Sequence, residues 1–141
     1  MQYSSDLVVA VEPTRVYPYV ADLARYVEWM PMVHEVETVG DGVWNVKLRA
    51  KVGVFARSKR LRMKRTMDTT QNIVFERDEI DGKRHSPWTM AIALQPTDAG
   101  SVVTVDLSYG GTLWTAGILD RVLAAQVEAG KTGLARVVHG A

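Results

Sequence analysis

The chain has 141 residues, 47% hydrophobic and 23% charged, with a formal net charge of +1. That size and composition fit one soluble globular domain over residues 1–141, and the near balance of charge excludes a protein built mainly to hold polyanions. The absence of cysteine excludes a disulfide framework, a thiol nucleophile and cysteine-ligated metal, and fits a reducing compartment.

The opening "MQYSSDLVVAVEP" has no basic leader, and its apolar run is only about five residues, too short for a signal-peptide core. No stretch approaches the roughly 18 uninterrupted apolar residues of a membrane span. The expected location is therefore cytoplasmic. "SDLVVAVEP" reads as a strand ended by Pro13, which also suits the first position of a helix. In "TRVYPYVADLARYVEWMP", Val16, Val20, Leu23 and Val27 follow helical spacing. Pro18 removes one helical hydrogen bond, which predicts a kink or two short helices.

From there to residue 109 the apolar period is two. "HEVETVGDGVWNVKLRA" predicts two strands around "GDG". "KRLRMKRTM" alternates Leu61, Met63, Arg65 and Met67 against Arg60, Arg62, Lys64 and Thr66. "NIVFERDE" follows, then "SPWTMAIALQP" with Trp88, Met90, Ile92 and Leu94 on one face. "SVVTVDLSY" places Val103, Val105, Leu107 and Tyr109 together. These short strands predict an antiparallel sheet with one wet and one dry face. A long amphipathic helix closes the chain, with Ala116, Leu119, Leu123, Val127, Gly130, Leu134 and Val137 on one stripe. The predicted fold is α+β: a curved antiparallel sheet of about seven strands around a C-terminal helix, with two short helices after the first strand.

This helix-grip order, with "EPTRVYPYVADLARYVEWMPMVHEVE" near the start and "LDRVLAAQVEAGKTGLARVV" at the end, resembles the START-like superfamily. That superfamily includes the birch-pollen allergen relatives, polyketide cyclases and coenzyme Q-binding proteins. Pro18 departs from its pattern. The resemblance implies a cavity between sheet and helix for a small hydrophobic ligand such as a lipid, isoprenoid quinone or polyketide-like molecule. It implies no cofactor, and its alternative is a cyclase or aromatase that uses the same cavity.

The expected lining is Trp44, Leu48, Met63, Arg65, Trp88, Met90 and Tyr109 from the sheet, with Leu123, Gln126, Val127 and Gly130 from the helix. Gly130 and Gln126 leave the helix face thin: either the missing volume is ligand space, or the backbone packs closely there. Strict alternation puts Arg65 on the dry face, where a guanidinium needs a partner or an anionic ligand, unless a bulge shifts the register. For the enzyme alternative, Arg65, Tyr109 and His34 are the candidates. The terminal helix and the loops at one end of the sheet, among them "KVGVFARS", would close the cavity.

"ARSKRLRMKR" is read as a solvated face neutralised by Glu76, Asp78, Glu79 and Asp81 of the next strand. Contact with anionic lipid heads is the weaker option, and nucleic acid is not expected. His34, His85 and His139 have no metal-ligand spacing, and His139 falls in a tail expected to fray. No catalytic residue and no metal ligand is assigned.

Overall fold

The computed structural model describes residues 2–52, 54–110 and 116–140, apart from the side chains of Val52, Phe55 and residues 116–120. Ala116, Leu119 and residues 111–115 therefore lie outside the described side chains.

Strand β1 (Gln2–Val9) ends where Pro13 opens helix α1 (Pro13–Val20). Pro18 sits inside α1, whose eight residues bury Val16 and Val20, and a separate 3₁₀ helix follows at Leu23–Glu28. Asp22 separates the two helices, its Oδ1 accepting from the Ala24 N–H at 2.9 Å. That capping bond starts the second element at the required angle.

Six strands then run in sequence: β2 (Val33–Gly40), β3 (Val43–Val52), β4 (Phe55–Asp68), β5 (Asn72–Arg77), β6 (Trp88–Thr97) and β7 (Gly100–Tyr109). The sheet order is β1-β7-β6-β5-β4-β3-β2, antiparallel throughout. Helix α2 (Ala116–Gly140) lies over the concave face. The predicted helix-grip architecture is borne out, with the predicted order of elements along the chain.

The two-residue alternation places Val103, Val105 and Leu107 of β7 inside, with Ile92 and Leu94 of β6. Tyr26 of the 3₁₀ helix is fully buried, its hydroxyl donating to the Val20 carbonyl at 2.8 Å. Its ring meets Trp29 at 4.4 Å and Phe75 edge-on at 6.0 Å. Aromatic contacts of this kind make the 3₁₀ segment part of the core rather than a surface connection.

Helix α2 is fastened at its middle and near its C-terminal end. Glu128 accepts from Tyr3 Oη at 3.0 Å and Ser5 Oγ at 2.8 Å, which holds the helix to β1. Nε2 of His139 accepts from the Ala10 N–H at 2.9 Å, so this residue belongs to an ordered contact and not to a frayed tail. The buried stripe also turns by one residue: Val138 is fully buried, where Val137 was expected. Among the described residues no helix is long and apolar enough to cross a membrane.

Candidate functional site

Under the concave face lies a cavity of about 60 Å³. Leu48, Leu61, Met63, Trp88, Met90 and Leu107 reach it from the sheet, with Val46 beside them. Leu23, Tyr26, Met30, Met32 and Val33 form its opposite wall. Alternation explains the first set, and the 3₁₀ turn with its following residues explains the second. Tyr26 is the one ionisable side chain in this described wall, and burial keeps its phenol well above the usual range, hence neutral.

Of the residues named from the sequence, Leu48, Met63, Trp88 and Met90 stand in the wall of this cavity. Trp44 is buried one step away, edge-on to Phe75 at 5.6 Å. Tyr109 stacks on Trp88 with centroids 5.1 Å apart, so it backs a lining residue. Leu123 and Val127 are core residues outside the described lining. Gln126 also lies outside it, although its buried Oε1 has no hydrogen-bond donor among the described residues.

The thin face of α2 has a different occupant from the one considered first. A Cβ built on Gly130 would sit 2.6 Å from Met30 Sδ, so the Met30 side chain fills the missing volume. At Gly133 a Cβ would overlap the Trp29 carbonyl oxygen outright and lie 2.9 Å from its carbon. The small residues let the helix backbone descend onto the 3₁₀ turn, which places Met30 in the cavity wall.

Arg65 is not in the described cavity wall either. Its Nη1 donates to the Ala21 carbonyl at 2.7 Å, its Nε lies 3.7 Å from Asp68, and its guanidinium sits 5.8 Å from the Trp44 ring centroid. The register shifts between Arg65 and Met67, leaving Met67 48% exposed instead of inside. The bulge turns this end of β4 towards the α1 corner, and Arg65 ties the two together.

Tyr17 Oη completes that tie by donating to Asp68 Oδ2 at 2.5 Å. The Tyr17 hydrogen bond, helped by the Thr70 N–H and Arg65, holds the Asp68 carboxyl below its ordinary range. A depressed carboxylate pKa stabilises the fold above the unfolded value and loses that contribution as pH falls through the folded value. Tyr17→Phe should therefore raise the Asp68 pKa, measured by carbon-detected titration, and should reduce stability at neutral pH more than below about pH 3. An unchanged Asp68 titration would count against the bond.

Further back along β4 and β5, two cations flank one carboxylate. Arg77 stands opposite Met63 and Lys59 opposite Leu48, each facing a residue of the cavity wall. The Arg77 side chain is 8% exposed, and its Nη1 donates to the Ser86 carbonyl at 3.2 Å. Among the described residues its buried Nε has no hydrogen-bond acceptor, and the Glu79 Oε1 with which it forms an ion pair is 3.6 Å away. Glu79 instead accepts from the Arg62 backbone N–H at 2.6 Å. Desolvation, then the charge of Arg77, lowers the Lys59 pKa, with Glu79 opposing. Grouping "FERDE" as an outward acidic strand hid this site, although Ile73, Phe75 and Arg77 share one face by simple alternation.

A family model described as "Polyketide cyclase / dehydrase and lipid transport" matches residues 2–139. The chain belongs to that polyketide cyclase/dehydrase family. No curated protein sequence matches it. Among solved structures, a START superfamily protein from Mycobacterium smegmatis aligns with a TM-score of 0.81 and 13% identity, covering 99% of this chain and 97% of that one. The Zhui aromatase/cyclase from Streptomyces sp. R1128 aligns at 0.68 and 17%, over 99% and 93%. The di-domain aromatase/cyclase StfQ of the steffimycin biosynthetic pathway aligns at 0.72 and 16%, and this chain spans 50% of its length. At these identities the likeness shows the shared fold.

Two features of this family member bear on catalysis and metal binding. His34 is on the exposed strand β2, with Nε2 3.9 Å from Glu35, outside the described cavity wall. Glu79, Asp81 and His85 bring ligand atoms within 4.8 Å of one another. Both Asp81 oxygens already lie 2.9 Å from His85 Nε2, and Glu79 is engaged by Arg62 and Arg77. The lone pairs therefore meet donors of the chain itself, an arrangement that fits surface pairing better than a cation site.

Proposed function

We propose that this chain binds a small hydrophobic molecule with one anionic or strongly polar oxygen, such as a fatty acid or the enolised end of a polyketide-like chain. The observation behind this reading is an apolar cavity whose wall residue Met63 pairs across the strands with Arg77, whose buried Nε has no acceptor among the described residues. The apolar body would lie along Leu61, Met63 and Met90, with the oxygen at Arg77. A volume of about 60 Å³ is well below the roughly 300–1,000 Å³ of ordinary ligand sites, so the walls must part. Four of the chain's six methionines are in that wall, and flexible thioethers re-pack at low cost.

The carrier reading is preferred over the cyclase reading because the described cavity wall offers only Tyr26 for proton transfer, with its proton already donated to Val20. Native mass spectrometry with oleic acid and with methyl oleate tests the proposal. One oleate per chain, with the ester bound more weakly, is the expected result. Leu61→Trp should fill the cavity, leave the fold melting cooperatively and abolish both adducts. Binding undiminished in Leu61→Trp would place the ligand elsewhere.

A further inference from the structure

Charge is strongly segregated along this chain. Nine of its seventeen Lys and Arg residues, and none of its sixteen acids, lie between residues 42 and 67. The expected neutralisation by "FERDEID" reaches only part of that run. Strand β5 pairs with β4 from Met63 to Asp68, so Lys64 faces Glu76 and Arg62 meets Asp78 at 3.2 Å. Beyond this base the β3–β4 hairpin continues as an arm. β2 pairs with β3 as far as Leu48, and among the described residues the strand register from Ala50 to Ser58 runs between β3 and β4 alone.

The arm has bases on both faces. By alternation Arg57 and Lys59 share the concave side with Ala50, while Arg49, Lys51 and Arg60 occupy the convex side. At its tip Val54 is 93% exposed, the most exposed large hydrophobic side chain among the described residues. A nucleic-acid surface calls for bases gathered along one face or stripe, and it has no use for an apolar point in water. Bases distributed around an apolar tip instead suit end-on approach to a surface that is anionic outside and apolar just beneath.

We propose that the β3–β4 arm docks tip-first on a bilayer rich in anionic lipid, with Val54 entering the interface and Arg49, Lys51 and Arg57 among the headgroups. Each base near such a surface strengthens binding about fivefold, and screening by salt weakens it. The arm is continuous with Leu48 and Leu61 of the cavity wall, so docking sets that end of the cavity against the bilayer. The proposal does not depend on what the cavity holds.

Flotation of the full chain with two vesicle preparations tests it: phosphatidylcholine alone, and phosphatidylcholine with about one-third phosphatidylglycerol, at about 0.1 M salt. The chain should float with the anionic vesicles only and be released at about 1 M salt. Lys51→Glu with Arg57→Glu should lower the partition coefficient by about 25-fold or more. Val54→Asp should also reduce it. Both variants alter an exposed hairpin and should keep the wild-type melting curve. Equal flotation with neutral vesicles would overturn the proposal. So would wild-type flotation by the charge-reversed variant, or preferential binding to duplex DNA at the same salt.

Discussion

Gly133→Ala should lower the melting temperature by roughly 5–10 °C, whereas Gly130→Ala should change it by no more than about 2 °C. The two glycines lie one turn apart on the same helix and differ in what a methyl group would strike. At Gly130 it meets the thioether of Met30, which has rotamers to spare. The gain in helix propensity, about 1 kcal/mol, offsets that adjustment. At Gly133 it meets the backbone of Trp29, with its Cα 3.1 Å away. Backbone cannot step aside, so α2 must lift from the 3₁₀ turn and take the Trp29 and Met30 contacts with it. Scanning calorimetry of the two variants decides the matter. Equal melting temperatures would mean that α2 does not rest on that turn.

Arg77→Met should weaken oleate binding by about 10- to 100-fold, the loss of a charge-assisted hydrogen bond, and leave methyl oleate almost unaffected. The methionine preserves apolar bulk beside Met63 and Trp88 while removing the fork. Arg77→Lys should fall between wild type and Arg77→Met, because an ammonium keeps the charge without the planar pair of donors. Calorimetric titration of the two ligands separates the roles. If acid and ester lose affinity equally, Arg77 supports the cavity by packing and the proposed polar contact is wrong.

The elements were readable because their periods differ. Val103, Val105 and Leu107 alternate cleanly, and β7 forms where the alternation runs. "GDG" turned the β2–β3 hairpin as its residue types require, with Gly42 at φ 69°. The cavity was only half readable. Leu48, Met63, Trp88 and Met90 followed from strand parity, but the opposite wall comes from residues 23–33, whose helical spacing says nothing about which surface they meet. Arg65 and Arg77 show the limit most clearly. Both alternate inward and stand in one register, yet one reaches the Ala21 carbonyl at the α1 corner while the other pairs with Met63 of the cavity wall. Nor did the sequence show that β4 outruns β5, the mismatch that produces the arm.

The strand order also governs how such a chain assembles. β2 to β7 form a meander in which each strand pairs with the next in sequence. β1 is the exception: Gln2 is registered with Ser108, across nearly the whole chain. Local hairpins close quickly, while contacts so distant in sequence carry the largest loop-closure cost and tend to form late. During synthesis the meander would emerge with its concave face bare, and β1 would wait for β7 before it could pair. Only after α2 followed, with Glu128 reaching Tyr3 and Ser5, would that face be covered. The interval exposes the same apolar surface that later encloses the cavity, so refolding yield should depend on protein concentration more steeply than the stability of the finished fold would suggest.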